Sequence, residues 1–114
     1  MKIAFLFPGQ GSQYVGMGRE LFENFQIARI AYEEASDAIE MNLSLLCFKG
    51  PEEKLLLTEN AQPAILATSI AALRVIHEET GLDPVVAAGH SVGEYSALVA
   101  AGAMSFSNAM RTVR

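Results

Sequence analysis

The stretch that decides the fold runs Val85-Val86-Ala87-Ala88-Gly89-His90-Ser91-Val92-Gly93-Glu94-Tyr95-Ser96-Ala97-Leu98-Val99-Ala100-Ala101. Four apolar residues follow Pro84, which predicts a buried parallel strand at 85–88. Residues 94–101 predict a helix. Between them stands Gly89-x-Ser91-x-Gly93, a strand, a sharp turn and a helix within a few residues. That context admits a nucleophile elbow, in which a strained serine projects at the carboxyl edge of a sheet and flanking glycines relieve the crowding. The following helix N-terminus favours negative charge developing there, and the backbone N–H of Val92 is placed to serve as one oxyanion donor. The same pentapeptide also suits a glycine-bracketed turn with an ordinary serine.

Working outward, residues 2–7 (KIAFLF) form a second apolar run, stopped by Pro8-Gly9. They predict another buried strand. Residues 8–18 are rich in Gly, Gln and Ser and read as a loop. Apolar positions at helical period predict a helix, or a broken pair of helices, over 18–40, and short helical turns punctuated by Gly50-Pro51 over 43–59. From Gln62 to Thr80 the pattern is a long helix, with Pro63 in its first turn. Ala64, Ile65, Leu66, Ala67, Ile70, Ala71, Ala72 and Leu73 make it apolar almost all round, as in a buried helix. A last helix is expected over 106–114, capped by Ser105.

Strands separated by helices indicate an α/β fold with parallel strands, rich in helix. Two strands are fewer than a stable doubly covered sheet needs. The expectation is therefore an incomplete core, with residues 1–114 forming part of a larger subdomain.

Composition narrows the function. Of 114 residues, 51% are hydrophobic, and 8 basic against 13 acidic side chains leave a net charge of −5. That balance gives no footprint for nucleic acid. The longest uncharged stretches, 60–73 and 95–110, fall short of the ~18 residues of a membrane span. The apolar run at the N-terminus is too short for a signal peptide, and the reading is a cytoplasmic protein. Cys47, alone in the chain, forms no internal disulfide and heads no Cys/His cluster, so no metal site is expected and a buried thiol is.

The second constellation is Pro8-Gly9-Gln10-Gly11-Ser12-Gln13, directly after the first strand. It fails the dinucleotide fingerprint, because Tyr14 or Leu21 stands where a third glycine belongs, and no Gly-Lys-Ser/Thr of a phosphate loop occurs. A donor-rich turn remains, at the same edge of the sheet as Ser91. It is either a tight connection or the source of a second oxyanion N–H, from Gln10.

Taken together, FPGQGSQYVGMG at 7–18, ENAQPAILATS at 59–69 and GHSVGEYSALVAAGAMSF at 89–106 resemble malonyl-CoA:acyl carrier protein transacylase and the acyltransferase domains of polyketide and fatty-acid synthases. The resemblance covers essentially the whole chain. It implies an α/β-hydrolase-like core with a small ferredoxin-like subdomain inserted after this region. It implies Ser91 as the acylated serine, the N–H groups of Gln10 and Val92 as oxyanion hole, and Gln62 bordering the acyl pocket. It implies malonyl-CoA and acyl carrier protein as partners, with the coenzyme A thioester a substrate and no resident cofactor. The family's general-base histidine and carboxylate-binding arginine are expected beyond residue 114; Arg111 and Arg114 do not align with the latter. A chain lacking them is expected to be inactive alone, or to associate with itself or with a missing portion. A serine hydrolase is the alternative chemistry.

His90 adjoins Ser91, but neighbouring side chains on a sharp turn diverge, and a general base must come within about 2.6–3.2 Å. His77 reads as a helix-end histidine, Glu94 as a first-turn acid facing the helix dipole, and Glu33, Glu34, Asp37 and Glu40 as a solvated face.

Overall fold

The computed structural model describes residues 2–114. Strand β1 (Ala4–Phe7) leads through the loop at 8–18 into α1 (Arg19–Asn24) and α2 (Gln26–Ile39). Short helices α3 (Leu43–Lys49) and α4 (Glu52–Leu56) precede the long α5 (Thr58–Thr80). Strand β2 (Val86–Gly89), α6 (Gly93–Ala100) and α7 (Phe106–Val113) complete the order. The two strands pair in parallel, with Ala4 opposite Val86 and Phe7 opposite Gly89. Parallel neighbours need a crossover, which the helices between them supply. The helix-rich α/β class is thus as expected.

Of the two readings open for 18–40 the broken pair is found, interrupted at Phe25, whose extended backbone (φ −131°) ends α1 and opens α2. Two expectations change in detail. Helix α5 starts at Thr58, not Gln62, which puts Pro63 in its second turn. A proline there removes the N–H that would bond the carbonyl four residues back. That carbonyl, on Glu59, instead faces Arg114 Nη1 at 3.4 Å, while the same nitrogen donates to Asn60 Oδ1 at 2.9 Å. Asn60 in turn donates through Nδ2 to the Lys54 carbonyl at 2.9 Å. The first turn of α5 is therefore held from two sides despite the missing bond.

The second change concerns the strands, which are paired but covered on one face only. Alternation puts Ala4 and Leu6 on one face of β1, in register with Val86 and Ala88 of β2. This face is bare: Leu6 is 80% exposed and Val86 59%. The opposite face, with Phe7, packs toward the helices. A run of Val, Leu and Phe reports that a strand is suited to cover on both faces; only one cover lies among the described residues.

The core lies between helices. Ala28, Ala31, Tyr32 and Ala35 of α2 and Ala64, Ile65, Leu66, Ala67, Ile70 and Ala71 of α5 are all buried, so the reading of α5 as a buried helix holds over most of its length. The small residues let the two helices approach closely. Tyr32, Phe22 and Phe48 pack edge to face at centroid separations of 5.1–5.9 Å. Such pairs contribute about 0.5–1.5 kcal/mol each beyond burial. Arg74 joins three helices: it donates to Glu34 Oε2 at 3.0 Å and lies 5.1 Å from the Phe106 ring centre. One member of the acidic face is thereby paired rather than solvated. Ser105 caps α7 as expected, accepting from the Asn108 N–H at 3.2 Å. No helix among the described residues is long and apolar enough to cross a membrane.

Cys47 is fully buried, as its sequence context predicts. Burial pushes its thiol from an ordinary 9.0 up to about 12, against a smaller lowering by a hydrogen bond with Thr68. Burial also raises Tyr32, with the nearby Cys47 adding to the shift and its 2.6 Å hydrogen bond with Thr68 opposing it. Both folded values lie above the unfolded ones. The stability these groups confer is therefore complete below about pH 9 and is lost as pH rises toward 12. The expected result is a urea midpoint that is level near neutrality and falls above pH 9, with a shallower fall in Cys47→Ala. A midpoint unchanged up to pH 11 contradicts this.

Candidate active site

Ser91 stands in the short turn between β2 and α6, with His90 before it and Val92 after it. Its φ is +59°, the left-handed region, where a residue with a Cβ costs about 1–2 kcal/mol. Such strain persists only where the surroundings impose it, and here three glycines do so. A Cβ on Gly89 would overlap the Gly93 carbonyl and lie 2.6 Å from the Glu94 nitrogen. A Cβ on Gly93 would overlap the Phe7 carbonyl and lie 2.9 Å from that of Pro8. In the loop after β1, a Cβ on Gly9 would overlap the His90 carbonyl and sit 2.8 Å from Ser91 Cβ. Backbone therefore packs on backbone at all three points. The loop after β1 lies against the turn after β2.

The hydrogen bonds of this junction leave particular donors free. In the turn, Gly93 N–H donates to the His90 carbonyl and Glu94 N–H to the Ser91 carbonyl, both at 3.0 Å. In the loop, the Gly9 carbonyl accepts from Ser12 N–H at 3.3 Å and from Ser12 Oγ at 2.7 Å. Gly11 N–H donates to Gln13 Oε1 at 2.7 Å. The N–H groups of Gln10 and Val92 have no acceptor among the described residues. Val92 buries its side chain, while Ser91 is exposed. At the start of α6 the helix dipole adds partial positive charge, and Val92 supplies no side-chain cap to quench it.

The remaining expected residues are placed less uniformly. Gln62 lies on α5 one helical turn beyond Thr58, and Thr58 Oγ1 accepts from Gln10 Nε2 at 2.9 Å. Residues four apart share a helix face, so Gln62 belongs to the face of α5 turned toward the Gln10 loop. Thr58 itself was not singled out in the sequence. No local pattern announces a contact between residues 48 apart. His90 is exposed, and no hydrogen bond joins a histidine to Ser91 Oγ among the described residues. His77 Nδ1 pairs with Asp83 Oδ1 at 2.8 Å. That pair lies at the opposite end of β2 from Ser91, a four-residue strand spanning about 13 Å. Glu94 lies in the first turn of α6 and is exposed, as a residue facing the dipole would be. No group of three metal-ligating side chains occurs among the described residues.

A comparison with known families decides what this junction belongs to. The profile described as "Acyl transferase domain" matches residues 4–114. The chain belongs to the acyl transferase domain family. The malonyl CoA-acyl carrier protein transacylase of Bacillus subtilis (strain 168) is 58% identical over 113 residues, covering 99% of this chain and 35% of that protein. Among solved structures, the malonyl CoA-acyl carrier protein transacylase of Coxiella burnetii is 43% identical with a TM-score of 0.96, over 99% of this chain and 36% of that one. A type II polyketide synthase acyl-carrier protein in complex with its malonyl-transacylase matches at 47% identity and a TM-score of 0.93, over 99% of this chain and 37% of the matched chain. This acyl transferase domain chain thus spans about a third of the length of the curated relatives it matches.

Proposed function

We propose that this chain supplies the nucleophile and both oxyanion donors of a malonyl-CoA:acyl carrier protein transacylase acting in the cytoplasm in fatty-acid or polyketide synthesis. One observation carries the reading: a strained, exposed Ser91 and two unengaged backbone donors, Gln10 N–H in the loop after β1 and Val92 N–H in the turn after β2. The relatives' names supply the substrate class.

In this reading Ser91 is the turn of a nucleophile elbow. Its Oγ attacks the thioester carbonyl of malonyl-CoA, and the carbonyl oxygen gains negative charge between the two N–H groups. Donors already aimed at that position need no reorganisation, and each is worth about 3–4 kcal/mol in the transition state. The C–S bond breaks, coenzyme A leaves as its thiol, and malonyl remains on Ser91 as an ester. The pantetheine thiol of acyl carrier protein then attacks the ester, forming the new thioester and restoring the serine hydroxyl. Gln62, on the α5 face turned toward the loop, borders the acyl group.

Activation of Ser91 requires a base, and neither His90 nor His77 meets the geometry. The 114-residue chain alone is accordingly expected to show no rapid, stoichiometric acylation by labelled malonyl-CoA. The complete enzyme carrying this sequence is expected to transfer label to the acyl carrier protein thiol faster than to water. Faster release to water points to a serine hydrolase instead. Label on neither, from an enzyme that is folded and assembled, points to a non-catalytic, self-associating chain.

A further inference from the structure

Two donors form an oxyanion hole only if their separation is held, and they sit in different connections, after β1 and after β2, with different supports. Val92 N–H is fixed by the first turn of α6. Gln10 N–H stands in a loop, where Gly11 on its far side has a φ of +108° and empty space around it. The loop's internal bonds, among Gly9, Gly11, Ser12 and Gln13, close it upon itself without fixing it to the rest of the molecule. The packing of Gly9 against His90 and Ser91 fixes one end, and Gly16 N–H, donating to the Cys47 carbonyl at 2.7 Å, fixes the other. The side-chain hydrogen bond reaching out of it is Gln10 Nε2 to Thr58 Oγ1, at 2.9 Å.

The anchor at the other end of that bond is the first residue of the core helix. Thr58 opens α5, whose first turns are gripped by Arg114 through Asn60 Oδ1 at 2.9 Å and by Asn60 through the Lys54 carbonyl at 2.9 Å. Ala61, Pro63 and Ala64, one turn further on, are buried in the core. Thr58 therefore refers the loop to the core helix rather than to another loop.

We infer that Thr58 is a positioning residue: its hydroxyl holds the Gln10 side chain and thereby aims the Gln10 backbone N–H at the acyl oxygen. The inference rests on the reading of Gln10 as an oxyanion donor. Thr58 makes no hydrogen bond to Ser91 and acts through Gln10. A methyl in place of the hydroxyl leaves the volume and removes the acceptor, so Gln10 loses its outward tether while the loop keeps its internal bonds and the bond from Gly16 N–H to the Cys47 carbonyl. The consequence belongs to the transition state, because the ground-state carbonyl draws less on the donor than the oxyanion does.

Two substitutions test it. In the complete transacylase, Thr58→Val is expected to lower kcat for malonyl transfer about tenfold, a part of the ~10²–10³-fold that loss of a whole donor costs. KM for malonyl-CoA is expected to stay within twofold, and Thr58→Ser, which keeps the hydroxyl, to restore the rate. In the 114-residue chain, Thr58→Val is expected to shift the Gln10 backbone and side-chain amide resonances, with those of Val92 unmoved. Wild-type kcat in Thr58→Val, or equal losses in Thr58→Val and Thr58→Ser, overturns the inference. Unmoved Gln10 resonances overturn it too. A wild-type enzyme that never acylates Ser91 would overturn the proposed function instead, with the resonance shifts still reporting the tether by themselves.

Discussion

Ser91→Ala in the complete enzyme is expected to lower malonyl transfer by about 10⁴-fold or more, the scale on which loss of a covalent nucleophile is felt. The fold is expected to be unaffected. Alanine keeps the Cβ and takes up the same left-handed backbone at φ +59°, so neither packing nor strain changes. Ser91→Gly separates chemistry from strain. It is equally inactive, yet glycine adopts positive φ without the Cβ penalty, and the substitution is expected to raise stability by about 1 kcal/mol. Urea midpoints of the two variants read this difference. A Ser91→Gly variant less stable than Ser91→Ala would mean that Ser91 is not strained, and the elbow reading would lose its physical basis.

The second large effect is expected at Gly89. A methyl there meets the Gly93 carbonyl group and the Glu94 nitrogen. These are main-chain atoms of the first turn of α6, with no rotamer by which to move aside. Gly89→Ala is expected to cost about 3 kcal/mol, the upper range of overpacking, and to displace Ser91 with the helix. Gly81 supplies the contrast. It caps α5 at φ +71° with open space where a Cβ would lie, so Gly81→Ala carries backbone strain alone, about 1 kcal/mol. Urea unfolding of the two variants measures the difference. A Gly89→Ala variant as stable as wild type would show that β2 and α6 do not pack as closely as described.

The sequence carried the elements of this junction more plainly than their joining. Gly89-x-Ser91-x-Gly93 was legible because sharp turns restrict residue choice locally, and the loop at 8–13 because two glycines follow an apolar run. The start of α5 was not legible. Leu57 offers no side-chain cap, and Pro63 reads naturally as a first-turn proline, whereas the structure places it a turn later and engages the orphaned Glu59 carbonyl with Arg114. The exposure of Leu6 and Val86 was equally hidden, since residue type records what a strand is fit to pack against, not what is present. The bond from Gln10 to Thr58 depends on tertiary approach and has no counterpart in any local pattern.

In the proposed mechanism Ser91 carries the acyl group between two thiols. The complete enzyme is to be incubated with labelled malonyl-CoA in the absence of acyl carrier protein, quenched in acid, and the labelled peptide sequenced by mass spectrometry. One malonyl group per active site on Ser91, discharged when acyl carrier protein is added, is the predicted result. Transfer that proceeds with no label on Ser91, or label on another residue, would contradict it.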